Sequence, residues 1–119
     1  MTPGTYDLKL YRGDSYEWTF KLWEDEAKLV PVDLTGAVAA AEIRDKSGGT
    51  QIMALTCAVT LPNTVDVALP ATLWAGIVLA AGVWDLEVTF VDGEVRTMVA
   101  GKVTVTGDVT NSVAVQARR

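Results

Sequence analysis

Between Val83 and Thr106 the sequence reads VWDLEVTFVDGEVRTMVAGKVTVT, and its apolar residues recur at every second position. Trp84, Leu86, Val88 and Phe90 alternate with Asp85, Glu87 and Thr89. A strand sends residues i, i+2 and i+4 to one face, whereas a helix would scatter them around its circumference. Asp92-Gly93 reads as a two-residue turn with positive φ favoured at both centres, which matches strand twist. The return strand carries Val95, Thr97 and Val99. A bulge is predicted at Ala100-Gly101, before Val103 and Val105. A hairpin is marginal alone in water, so the remainder of the chain must supply further strands to cover its apolar face.

It does so in short segments. In YDLKLY, Tyr6, Leu8 and Leu10 alternate with Asp7, Lys9 and Tyr11. In SYEWTFKLW, Tyr16, Trp18, Phe20 and Leu22 share one face, and Glu17, Thr19, Lys21 and Trp23 the other. Pro31 and the run Asp33 to Gly36 mark an irregular connection. AVAAAEIR places Ala37, Ala39, Ala41 and Ile43 on one face. Alanine favours helix, but the segment is short and lies between Gly36 and Gly48-Gly49, so it is assigned as a strand. ALTCAVTL and TVDVAL flank Pro62-Asn63 as a hairpin. PATLWAGIVLAAG, with Pro70 at a first-turn position, predicts a short helical crossover near 70-80 from one sheet to the other. About seven short strands with regular turn signals predict an all-β, immunoglobulin-like two-sheet β-sandwich over residues 1-110. Residues 111-119 are expected to form a C-terminal extended arm.

The residue inventory narrows the chemistry. The 119-residue chain has no histidine, which removes the commonest general base and metal ligand. It has one cysteine, Cys57, so no internal disulfide staples it, and folding in an intracellular compartment is expected. Cys57 lies in a predicted strand and reads as an inert buried thiol. The net charge is −5 and no Lys/Arg cluster occurs except Arg118-Arg119, which argues against nucleic acid as a partner. The N-terminus lacks the apolar core of a signal peptide. The longest apolar run, Ala71 to Val83, is interrupted by Thr72 and two glycines and is short for a membrane span. Glu24, Asp25 and Glu26 lack the spacing of a calcium loop and read as a solvated loop tip. Gly48-Gly49 lacks the pattern of a phosphate-binding loop. No enzyme activity, metal or cofactor is expected.

Arg12-Gly13-Asp14 matches a cell-adhesion tripeptide, but Gly13 and Asp14 also suit a reversal between two strands, and the turn is the reading adopted. Trp18 and Trp84 are in phase with core positions. Trp23 on an outward phase and Trp74 in the crossover are candidate partner-binding anchors, or else covers over the open ends of a sandwich. A glycan platform is weakly supported, because Tyr11, Tyr16 and Trp23 cannot all share one face by alternation. Val113 and Val115 alternate as an added strand would, and Arg118 and Arg119 suit an acidic neighbour.

In order along the chain stand Arg12-Gly13-Asp14 before an aromatic strand, then Asp33 to Ala37. Gly82, Asp85 to Thr89, Asp92-Gly93 and Thr97 follow. Gly101, Val103-Thr104-Val105 and Asp108-Val109-Thr110 close the series. This order resembles the immunoglobulin-like domains of structural proteins of tailed bacteriophages and prophages. Among them is the N-terminal domain family of the phage baseplate upper protein. The resemblance spans roughly residues 6 to 110. It implies a two-sheet sandwich, no catalytic residues, and a virion location after assembly in the host bacterial cytoplasm. The implied role is contact with other virion proteins in a symmetric, multi-copy tail or baseplate assembly. A capsid-surface accessory protein and a carbohydrate-binding adhesion module are the alternatives.

Overall fold

The computed structural model describes residues 3–107. It is nearly all β: β1 (Gly4–Thr5), β2 (Leu8–Tyr11), β3 (Tyr16–Lys21), β4 (Val38–Arg44), β5 (Gln51–Thr60), β6 (Thr64–Leu69), β7 (Ala81–Thr89) and β8 (Val95–Thr106). One short 3-10 turn, Ala71–Trp74, lies between β6 and β7. The strands form one curled mixed sheet in the order β1-β8-β7-β4-β5-β6-β3, with β2 also on β8. The curl gives a half-barrel, so the expectation of two separate packed sheets is not confirmed.

The curl is set by β5. Its first half pairs with β4, from Ala41↔Leu55 to Arg44↔Gln51, and its second half pairs with β6, from Thr56↔Ala68 to Thr60↔Thr64. One long strand therefore serves two limbs of the sheet. The inner face takes every second residue, and Leu8, Leu10, Ile43, Val65, Val67, Leu69, Leu86, Val88 and Val103 are all buried on it. Each such aliphatic contributes roughly 1.5–3 kcal/mol relative to exposure. The alanine-rich segment is the strand β4, with Ala41 and Ile43 inward as the alternation requires.

Parallel pairing distinguishes one edge. β1 and β2 both lie parallel to β8 in a single register, Gly4↔Val99 and Leu8↔Val103. They form one edge strand interrupted at Tyr6 and Asp7. In the interruption the Tyr6 N–H donates to the Ala100 carbonyl at 3.0 Å, and Asp7 Oδ1 accepts from the Lys102 N–H at 2.9 Å. The side chain of Asp7 thus stands in for a missing ladder carbonyl.

Two details of the β7–β8 hairpin differ from expectation. Its loop is three residues, Val91-Asp92-Gly93, closed by Phe90 N–H to the Glu94 carbonyl at 2.7 Å. Only Gly93 has positive φ, at 92°, so Asp92 avoids the left-handed region and its Oδ1 instead accepts from the Glu94 N–H. The register shift lies between Leu86↔Val99 and Glu87↔Thr97, so Met98 is the extra residue and the bulge is not at Ala100-Gly101. Met98 and Val99 are both buried because the bulge turns two successive side chains inward.

Candidate functional site

The two edges of the half-barrel meet through the Arg12-Gly13-Asp14 segment. It connects β2 on one edge to β3 on the other. The Asp14 N–H donates to the Tyr11 carbonyl at 3.2 Å, and Gly13 has φ 98°, which an L side chain rarely adopts. Arg12 folds back and its Nη2 donates to the Leu79 carbonyl at 3.1 Å. The Trp74 indole N–H donates to the Asp14 carbonyl at 2.7 Å. The tripeptide is therefore a turn clamped from two sides, with its arginine engaged within the fold.

Of the two readings of Trp74, partner anchor or cover, the clamp favours the cover. Its side chain is only 6 % exposed and its one polar group is used internally, so it offers no surface anchor. A Trp in a connector that must bridge two limbs of a sheet is better placed as a plug than as a contact residue. Trp23 is different. It lies beyond the end of β3, forms an isolated bridge with Pro31, and remains half-buried. It lines a groove with Gly4, Lys21, Leu22, Glu24, Lys28 and Met98, of about 340 Å³. Gly4 belongs to β1 and Lys21 to β3, so this groove lies where the two edge strands of the half-barrel approach one another. Val113, Val115, Arg118 and Arg119 lie outside the described residues.

Among the described residues, neither edge has a ladder partner on its outer side: β3 pairs only with β6, and β1 and β2 only with β8. Side chains span the gap between them: Tyr6 meets Phe20 edge-on at 5.5 Å, and the Tyr16 hydroxyl accepts from the Tyr11 N–H at 2.8 Å. The rim of the Trp23 groove is held by ion pairs and caps. Glu24 accepts from Arg96 at 3.1 Å, and Asp25 Oδ1 accepts from the Leu29 and Val30 N–H groups, both at 3.0 Å. Arg96 also lies over the Phe90 ring, 4.4 Å from its centroid.

A third feature escaped sequence reasoning. Leu29, Val30, Val38, Leu61, Val91 and Val95 are all more than half exposed and come from the loops and strand ends at one end of the sheet. The register Val38↔Thr89↔Val95 brings two of them into one row. The bond from Leu34 N–H to the Pro62 carbonyl ties the Leu61 loop to the β3–β4 connection. A signal was present for Val38, which falls out of phase with Ala41 and Ile43; Val95 shares the parity of Val99, Val103 and Val105 and faces outward because of the Met98 bulge. Exposed aliphatics gathered at one place mark interaction surfaces more often than scattered ones do.

The outer face between β4 and β7 carries Glu42, Asp85 and Glu87. Burial, then the neighbouring Glu87 and Glu42 carboxylates, hold Asp85 above the usual carboxylate range, against the pull of Arg44. Glu42 is paired with Arg44, whose Nε donates at 2.7 Å. Among the described residues no cluster of His, Cys, Asp and Glu has the disposition of a metal site. Comparison with protein-family models and with curated proteins finds no match to this chain.

Proposed function

We propose that this protein is a non-enzymatic structural component of a tailed-phage or prophage virion, acting by protein–protein contact in the tail or baseplate. The single observation that carries the contact role is the pair of sheet edges beside the Trp23 groove, which have no outer ladder partner among the described residues. An open edge presents backbone N–H and C=O groups that another chain can complete. The apolar end made by Leu29, Val30, Val38 and Val91 adds a surface of the kind that repeated subunits cover. The virion setting rests on the resemblance of the ordered motifs from Arg12 to Thr110. The two limbs of the half-barrel, joined by β5, are compatible with an immunoglobulin-like sandwich opened along one side.

The test has two parts. Electron microscopy of intact particles should find the protein at symmetry-related positions on a tail or baseplate. Light scattering of the purified chain over a wide concentration range should find self-association or capture of a tail protein. Density at repeated sites on the capsid would move the role to decoration. A chain that stays monomeric and is missing from particles would overturn the reading.

A further inference from the structure

We propose that the groove at Trp23 receives residues 108–119 of a second copy of this chain, in a head-to-tail contact. The inference rests on the assembly reading above and names its partner and its site. Three observations carry it.

The first is position. β8 begins at the apolar end, where Met98 reaches the groove, and runs to Thr106 at the opposite end, where the Arg12 N–H meets the Thr106 carbonyl. The molecule is 51 Å in its longest dimension, and groove and departing chain lie toward opposite ends of the sheet. Such a subunit carries a donor at one end and an acceptor at the other, which is the arrangement of a heterologous interface.

The second is reach. From Met98 to Gly107 is nine residues of mostly regular strand, about 30 Å at the usual rise. Val113 lies six residues beyond Gly107 and can extend no more than about 21 Å back. The alternating pair Val113 and Val115 therefore cannot both sit over Met98 of their own chain. A second copy has no such limit.

The third is complementarity. Residues 1–107 hold 8 Lys/Arg and 14 Asp/Glu, a balance of −6, while residues 108–119 hold two arginines and one acid, Asp108, a balance of +1. An incoming strand finds an edge of β3 with no partner among the described residues, apolar contact with Trp23 and Met98, and the exposed Glu26 beside the groove for an arginine. Strand addition provides affinity through the backbone, and pockets for alternate side chains provide register.

The decisive experiment is complementation in the full chain. Sedimentation velocity should show concentration-dependent association of the parent protein. Trp23→Ala removes the acceptor and should weaken association about tenfold or more, the scale of an interface tryptophan. Val113→Asp with Val115→Asp removes the donor and should have at least the same effect. Mixing the two variants should restore a single intact contact and give a dimer that does not grow further. A synthetic peptide of residues 108–119 should compete with the parent's association. If the variants remain monomeric on mixing, or if the Val113/Val115 variant associates as the parent does, the inference is overturned. A parent chain that is monomeric in solution yet present at repeated sites in particles also overturns it, while leaving the assembly reading in place. Absence from particles as well would remove both.

Discussion

The indole N–H of Trp84 donates to the backbone carbonyl of Tyr6 at 2.7 Å, across the strand β8 that separates them in the sheet. Gly101 makes this contact possible. It is the cross-strand partner of Trp84, and a Cβ there would lie 2.0 Å from the same Tyr6 oxygen. The missing side chain lets the edge strand dip toward the core at its interruption, where the Tyr6 carbonyl has no ladder partner. Trp84, 2 % exposed, then serves as both core residue and hydrogen-bond donor, and its ring packs on Phe20 at 5.6 Å.

Trp84→Phe should retain most of the apolar contact and strand the Tyr6 carbonyl. The expected loss is about 1–2 kcal/mol, the cost of leaving a partly buried acceptor unpaired plus a small packing defect. Gly101→Ala should cost at least as much, since the clash is with backbone and cannot be relieved by a rotamer change. Urea denaturation gives both values. The two effects should be less than additive in the double variant, because an edge strand displaced by the added methyl group has already lost the Trp84 bond. Full additivity would mean that the two residues act separately.

The clamp on the Arg12-Gly13-Asp14 turn gives a second prediction. Trp74→Phe deletes the bond to the Asp14 carbonyl, and Arg12→Ala deletes the bond to the Leu79 carbonyl. Each should cost about 1–2 kcal/mol of stability, and limited proteolysis should shift toward cleavage between Tyr11 and Tyr16. The parent protein, coated on a surface, should not support tripeptide-dependent cell attachment, because Arg12 is held by the fold. Attachment that free tripeptide inhibits would refute this account of the turn.

Cys57 offers a third. Its thiol is pushed up by burial, partly offset by a backbone hydrogen bond with Ala41. The thiolate is the reactive form, so native alkylation near pH 8 should be about tenfold or more slower than in denaturant. Equal rates in both conditions would mean that the β5 strand opens readily around this residue.

Period two makes the β class legible, along with the inward faces of β2, β3, β4 and β7 and the β5–β6 hairpin. It reads the alanine-rich β4 correctly because the bounding glycines leave no room for a helix of useful length. It misplaces the bulge, at Ala100-Gly101 instead of Met98, because Val95, Val99, Val103 and Val105 keep one parity and alternation does not mark where the register shifts. Met98 and Val99 are both apolar, so the slip leaves no polar residue to mark it. The half-barrel cannot be read from period at all. It depends on β5 changing partners at mid-strand, and Gln51 to Thr60 alternates in the same way on both sides of that change. For Trp74 the sequence leaves anchor and cover open for a related reason: in an irregular connector no phase distinguishes a plug from an exposed anchor. A glycine in phase with Val99 and Val103 is the available clue to the Trp84 contact, since glycine within a strand often marks close approach of another backbone.

The raised pKa of Asp85 sets a pH dependence whose sign can be worked out. Its causes are burial first, then Glu87 and Glu42. A carboxyl whose pKa is higher in the folded state than in the unfolded chain makes ionisation cost stability. That penalty is complete above the folded pKa and vanishes below the ordinary aspartate value, where both states are protonated. Asp85→Asn removes the charge without changing the side-chain shape. It should therefore raise stability at pH 7 by about 0.5 kcal/mol, the scale expected for a partly exposed position. The gain should shrink as pH falls through the folded pKa toward the ordinary aspartate range. Glu87→Gln should give a smaller gain of the same sign, by relieving the largest of the repulsive charges. Thermal unfolding of the parent and both variants at pH 7 and near pH 4 measures this directly. A gain that grows on acidification would show that the Arg44 attraction outweighs burial and the two carboxylates, reversing the balance described for this face.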